Sequence, residues 1–273
     1  MRTNILSGIT IFVVTAFFIS CGGNDQKQSA NEAGKKDEIP DYVTNLQKAV
    51  ALKPDSAGLR LKYVAALDSI GKYKEALVHL DTLISKDSLN YGLWFTRGQI
   101  EEDSKDSASA EKSYINAIKI YPSPDAQLAL ANMYAEQKND RALKICNRIL
   151  DMGLGREYDA HCNFIAGIYH SRMKHAAEAI KLFDQCIAAD FTYMPAYIEK
   201  GLVYFDNKQY DEALKVFQFA SSVNNLYPDA YYYIARCYEM TGKKDSAIMK
   251  FQQSLSLDKN LTEAREGLKR LGE

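Results

Sequence analysis

The sequence predicts an all-α fold of stacked helix-turn-helix repeats, and three observations predict it. Three positional series advance in steps of 34 residues: Gly167, Gly201 and Ala235; Ala179, Ala213 and Ala247; Phe183, Phe217 and Phe251. A fixed period of this length marks a helix pair that cannot cover its own apolar face and must stack on its neighbours. Within each copy an alanine precedes a phenylalanine by four positions, which sets both on one helical face. The composition agrees, since 47% hydrophobic and 25% charged residues support a packed core, while six prolines and fifteen glycines speak against a turn-rich all-β chain.

The first twenty residues read as an address. Met1 and Arg2 precede an apolar stretch from Ile5 to Ile19, the layout of a secretory signal over residues 1–20 and too short for a membrane span. The stretch ends in Phe18-Ile19-Ser20-Cys21, followed by Gly22-Gly23-Asn24-Asp25. This order resembles the lipobox of bacterial lipoproteins, which implies acylation of the Cys21 thiol and removal of the peptide before it. Phe18 departs from the pattern, standing where leucine is commoner. Each buried methylene contributes about 0.8 kcal/mol, so several acyl chains on Cys21 would anchor the chain to a membrane without a spanning helix. In two-membrane bacteria an aspartate directly after the cysteine favours the inner membrane. Gly22 stands there, so the resemblance implies the outer membrane, with the chain facing the periplasm or the surface. Residues 21–40 are read as the lipidated cysteine and a flexible linker, because 22–39 hold no aromatic and one β-branched residue. Eighteen such residues reach roughly 23 Å.

From residue 41 onward the period sets the boundaries. A half-repeat helix is expected over 41–56, with Leu46, Ala49 and Pro54 one period before Leu80, Leu83 and Ser88. Six copies follow, at 57–90, 91–124, 125–159, 160–193, 194–227 and 228–261. Gly71, Tyr73, Ala76 and Leu80 mark the first, and Trp94, Gly98, Ala110, Tyr114, Ala117 and Pro122 the second. The third is degenerate. It keeps Leu130, Ala131 and Tyr134, but Ala142 falls one residue early and Met152-Gly153-Leu154-Gly155 lengthens the link to the next copy. Residues 262–273 form a charged capping helix with Ala264, Leu268 and Leu271 on one side. The small residues are expected to let helix backbones approach closely, with the phenylalanines filling the seams between copies.

In the last copy Tyr231, Ile234, Ala235, Tyr238, Gly242, Ala247 and Phe251 resemble the tetratricopeptide repeat in identity and spacing. The resemblance implies a right-handed α-solenoid whose first helices line a groove that holds an extended or helical peptide. It maps Phe164, Ile168, Ile198, Leu202, Phe205, Tyr232, Arg236 and Glu239 inward as the partner-binding groove, although the same side chains also suit a core. Versions of the repeat that grip a chaperone's C-terminal carboxylate use lysine and asparagine there. Asn132 and Arg236 are present without that lysine set, so this role is not expected.

Other chemistry finds little support. Lysine plus arginine (34) nearly equals aspartate plus glutamate (35), which leaves no basic field for nucleic acid. His79, His161, His170 and His175 show no pair at the i, i+4 spacing of a helical metal site. Gly153-Leu154-Gly155 begins like a dinucleotide fingerprint, but Tyr158 stands where the third glycine belongs. Cys146, Cys162, Cys186 and Cys237 suit small core positions. Cys146 and Cys162 lie on consecutive helices, and their pairing in an oxidising compartment stays open to geometry. Asp-Ser or Asp-Thr before an apolar residue recurs at Asp55, Asp68, Asp81, Asp87, Asp106 and Asp245. It resembles an O-glycosylation acceptor of the Bacteroides group, but such residues also start helices. No catalytic constellation, cofactor site or metal site is expected. The function expected is a non-enzymatic, lipid-anchored adaptor that gathers envelope proteins. The alternatives are a glycan- or nutrient-capturing surface lipoprotein, an accessory subunit of an outer-membrane assembly or secretion machine, and an enzyme.

Overall fold

A computed structural model describes residues 39–273, and the signal stretch, Cys21 and nearly all of the linker lie outside them. The described residues form helices and turns with no strand, in two compact units divided between Ser113 and Tyr114. The division falls inside a helix of the second repeat copy, not at the degenerate copy.

The first unit contains α1 (Asp41–Leu52), α2 (Ala57–Ser69), α3 (Tyr73–Lys86), α4 (Tyr91–Asp103) and the start of α5 (Ser107–Ile120). Ser56 caps α2 by accepting from the Leu59 N–H at 3.4 Å, satisfying one of the free donors of its first turn. Val43 and Val50 of α1, Tyr63, Val64 and Leu67 of α2, and Ala76, Leu80 and Leu83 of α3 share one core with Leu93 and Ile100 of α4. Leu46 is only partly buried against it.

The second unit contains the rest of α5, then α6 (Pro124–Glu136), α7 (Arg141–Asp151), α8 (Arg156–Arg172), α9 (Ala176–Ala189), α10 (Met194–Asp206), α11 (Tyr210–Val223), α12 (Pro228–Met240), α13 (Lys244–Leu257) and α14 (Thr262–Arg270). Consecutive helices from α6 to α14 pack on one another, and the first helices α6, α8, α10 and α12 also touch in succession. α8 begins at Arg156, four residues earlier than the expected fourth copy.

The seam differs from the sequence expectation in one respect. A Cβ added at Gly201 would stand 2.3 Å from the Phe217 ring, and one at Gly167 would stand 2.6 Å from the Phe183 ring. The atoms nearest these glycines are therefore those of aromatic rings and not of a second backbone. Phe183, Phe217 and Phe251 have no exposed surface, and burial of each contributes about 1.5–3 kcal/mol. Phe217 also stacks on Tyr233 of the next first helix, with ring centroids 5.1 Å apart and planes 19° from parallel. At the end of the chain Phe251 lies against Gly267 and Ala264 of α14, which Leu268 and Leu271 flank.

The turns between first and second helices all use one left-handed residue. Gly71 and Gly242 fill this place in the first and last copies, whereas Lys105, Lys138, Lys174 and Lys208 fill it in the others, with φ between 60° and 67°. A lysine there accepts a conformation that costs roughly 1–2 kcal/mol for a residue with a side chain.

Candidate functional site

Two side-chain clusters join the first helices of the second unit. The first spans α10, α12 and α14. Leu202 and Phe205 of α10 and Tyr232, Arg236 and Glu239 of α12 are all half-buried, in contrast to the buried residues between them. The Arg236 guanidinium lies over the Phe205 ring at 5.8 Å and donates to the Tyr232 hydroxyl at 3.4 Å. Its Nε stands 3.1 Å from Glu239 as a charge pair without hydrogen-bond alignment. Glu239 also accepts two bonds from Arg270, at 2.9 and 3.0 Å. Those bonds hold the Arg270 guanidinium above its ordinary pKa. The Tyr232 ring rests on Tyr233 at 4.9 Å and on Phe251 at 5.8 Å. The cluster thus offers apolar and aromatic area whose orientation is fixed by bonded charges.

The second cluster centres on Arg172 at the end of α8. It donates to both oxygens of Glu136 on α6 at 2.8 Å and to Glu199 on α10 at 3.0 Å. Burial works against its charge, but the Glu136 bonds and the Glu199 charge outweigh this and raise its pKa. One side chain thereby ties three successive first helices. In the first unit Arg97 pairs with Asp81 and with buried Glu101, which also accepts from Ser113. Asn132 of α6 is 3% exposed, and its Oδ1 has no hydrogen-bond partner.

Three of the expected groove residues are corrected. Phe164, Ile168 and Ile198 are 2%, 0% and 0% exposed, so they hold the stack together and face no partner. Phe164 packs its ring on Phe183 and Tyr193 at 5.9 and 5.1 Å, and Ile198 shares a core with Phe217. The sequence reading missed Glu136, Arg172, Glu199 and Arg270. A signal existed at Glu199, which stands one period after Ile165 and one before Tyr233, a charge where the pattern carries apolar residues.

The remaining candidates fall in turns and interiors. Gly155 caps the start of α8 with φ +106°, inside a helix-helix link. All four described cysteines are buried free thiols. His161 sits edge-on to Tyr193 at 5.3 Å, and burial lowers its pKa. His170 and His175 come within 5.7 Å at the α8–α9 turn, an approach their i, i+5 spacing did not suggest. Among the described residues no group of three or more His, Cys, Asp or Glu is arranged to hold a metal ion, and no helix is long and apolar enough to cross a membrane.

Tetratricopeptide-repeat family profiles match residues 91–124 and 198–260. A solved tetratricopeptide-repeat protein from Parabacteroides merdae superposes with a TM-score of 0.69 at 16% identity, over 85% of this chain and 91% of that one. DnaJ homolog subfamily C member 7 from human is 22% identical over 67% of this chain, and the Hsp70-Hsp90 organizing protein of wheat is 20% identical over 80%. The chain spans 40% and 44% of the lengths of these two relatives. It is all-helical among the described residues and carries tetratricopeptide repeats at 91–124 and 198–260, in a fold shared with solved proteins of that repeat.

Proposed function

We propose that this chain is a non-enzymatic scaffold, lipid-anchored through Cys21 at the outer membrane, whose first-helix surface holds a segment of another envelope protein. The observation that carries the partner-binding reading is the half-buried cluster of Leu202, Phe205 and Tyr232, held in place by Arg236, Glu239 and Arg270. Apolar area of this kind, rimmed by bonded charges, suits a peptide laid across adjacent first helices. The anchor reading rests on the signal-like stretch that ends at Cys21 and the polar residues after it. The repeat fold supports a protein-interaction role, and the wheat relative is itself named for organizing Hsp70 and Hsp90.

Cross-linking in the native envelope, with wild type beside a Leu202→Ala, Phe205→Ala, Tyr232→Ala variant, tests the surface. Loss of one specific partner with the fold retained supports it, and unchanged capture by the folded variant overturns it. Fractionation of Cys21→Ala tests the anchor. The variant should leave the membrane fraction for the soluble one, and its retention in the membrane would refute acylation at Cys21.

A further inference from the structure

Consecutive helices from α6 to α14 pack on one another and are joined by three or four residues, so each runs opposite to the last. The turns after α6, α8, α10 and α12 therefore gather at one end of this stack, and the links after α7, α9, α11 and α13 at the other. The two ends differ in chemistry. The turns carry Lys138, Lys174, Lys208 and Lys243. The links, at 152–155, 190–193, 224–227 and 258–261, hold Asp190, Asp258 and Lys259 as their only charged residues. Both aspartates turn back on their own links, accepting from the backbone N–H of Thr192 and Asn260 at 2.8 Å. In place of charge, each link or the helix end before it exposes a large apolar side chain: Met152 and Leu154, then Phe191, Leu226 and Leu257. Phe191 and Leu226 are 55% and 71% exposed, and Phe219, near the end of α11 and 51% exposed, meets the Phe191 ring at 6.3 Å. At the lysine end the exposed counterparts are Met173 and Met240.

The geometry points to the link end of this stack as a membrane-docking edge, whose Phe191, Phe219 and Leu226 enter the interfacial layer of a lipid bilayer. This docking rests on the proposed Cys21 anchor, and the length of chain before α1 is what favours lipid as the occupant. Eighteen residues separate Cys21 from Pro40, a mean reach of roughly 23 Å for a flexible chain. Acylation at Cys21 would hold the chain at the lipid surface, where a high local concentration lets insertions that are weak singly fix an orientation. Charged side chains are costly to bring to the acyl boundary, whereas leucine and aromatic side chains are favoured there. The near absence of charge from the links meets that requirement, and the lysine end stays in water. Apolar tips spaced one link apart, with polar link backbone between them, suit a headgroup layer better than a bound peptide, which needs continuous contact. Docked this way, α8, α10 and α12 start at the lipid and run away from it. Their lateral surface, with Leu202, Phe205 and Tyr232, then stays open to a partner.

The test couples the chain from Cys21 onward, which holds every described helix, to a maleimide lipid in phosphatidylcholine vesicles. The other four cysteines are buried, so coupling selects the Cys21 thiol. Because the anchor is supplied chemically, the outcome does not depend on acylation in the cell, and failure of the Cys21 reading stays distinct from failure of the docking edge. Leu226→Trp and Met240→Trp place a reporter at opposite ends of α12, and the wild-type chain, with Trp94 as its one tryptophan, is the blank. Brominated phosphatidylcholine should quench the Leu226→Trp chain and leave the Met240→Trp chain near the blank. Adding Phe191→Ser and Phe219→Ser to Leu226→Trp should lower that quenching at least about threefold, and both side chains are exposed enough for the fold to be kept. Equal quenching at the two ends, stronger quenching of Met240→Trp, no quenching of either, or quenching unchanged by the two serines would overturn the docking. A dimer of the uncoupled Cys21→Ser chain in sedimentation velocity, dissolved by the same two serines, would assign the edge to a second copy and overturn it as well. The comparison of the two ends of α12 is decisive even where the serine variant fails to fold.

Discussion

Gly201→Ala sets helix propensity against the packing of the seam. In an open helix interior the change stabilises by about 1 kcal/mol, because glycine has more backbone freedom to lose on folding. Here the new methyl would stand 2.3 and 2.5 Å from two carbons of the Phe217 ring. That ring is fully buried and stacked on Tyr233, so it has no free space to retreat into. Overpacking of a filled core costs about 1–3 kcal/mol. The clash should win, leaving Gly201→Ala less stable by up to about 2 kcal/mol. The double-mutant cycle with Phe217→Leu removes the ambiguity of the net value. In the Phe217→Leu background the ring is gone, so the same methyl should no longer destabilise, and the coupling should reach at least about 1 kcal/mol. Urea denaturation followed by far-UV circular dichroism, compared at equal m-values, measures all four corners. Gly58→Ala is the control, because nothing lies within 4 Å of its new methyl, and its stability should be unchanged or slightly raised. An additive cycle, or a Gly201→Ala protein more stable than wild type, would refute the ring-on-glycine account of the seam.

Three further outcomes rest on particular residues. Lys208→Gly should raise stability by about 0.5–1 kcal/mol in the same urea assay, because relief of the left-handed strain exceeds the entropy glycine adds to the unfolded chain. Arg172→Ala should destabilise by about 3–5 kcal/mol by leaving Glu199 buried without its countercharge, and Arg172→Met with Glu199→Leu should recover much of the loss. Asp68, raised to about 6 by burial and by Asp103, binds its proton more tightly folded than unfolded. Its ionisation therefore opposes folding, so this contribution is favourable at acid pH and is lost as pH rises from about 4 through 6. Asp68→Asn should be more stable than wild type at pH 7 and should flatten that part of the pH profile, and a steeper profile would contradict the assignment.

The repeat was legible because it is written in side-chain size. Ala76 and Leu80, Ala110 and Tyr114, and Ala213 and Phe217 each place a small and a large side chain one turn apart, and all six are buried as that spacing requires. The lysine turns were not legible. Lys105, Lys138, Lys174 and Lys208 are poor left-handed residues, and only comparison with Gly71 and Gly242 reveals their role. The first-helix surface was half legible. Leu202, Phe205, Tyr232, Arg236 and Glu239 reach it, but Phe164, Ile168 and Ile198 do not. A first helix such as α10 packs against α8, α9, α11 and α12, so apolar positions occur on most of its circumference and a single 3.6-residue stripe does not separate core from groove.

The sequence by itself determined the helical period, the copy that breaks it and the seam residues, because each depends on spacings within one or two copies. It also carried the address-like order that ends at Cys21. Only the tertiary structure decided which first-helix side chains stay accessible and that Arg172 joins Glu136 to Glu199. Those pairings form between helices whose relative rotation is set by the packing of every neighbour at once, and no local pattern along the chain encodes that rotation.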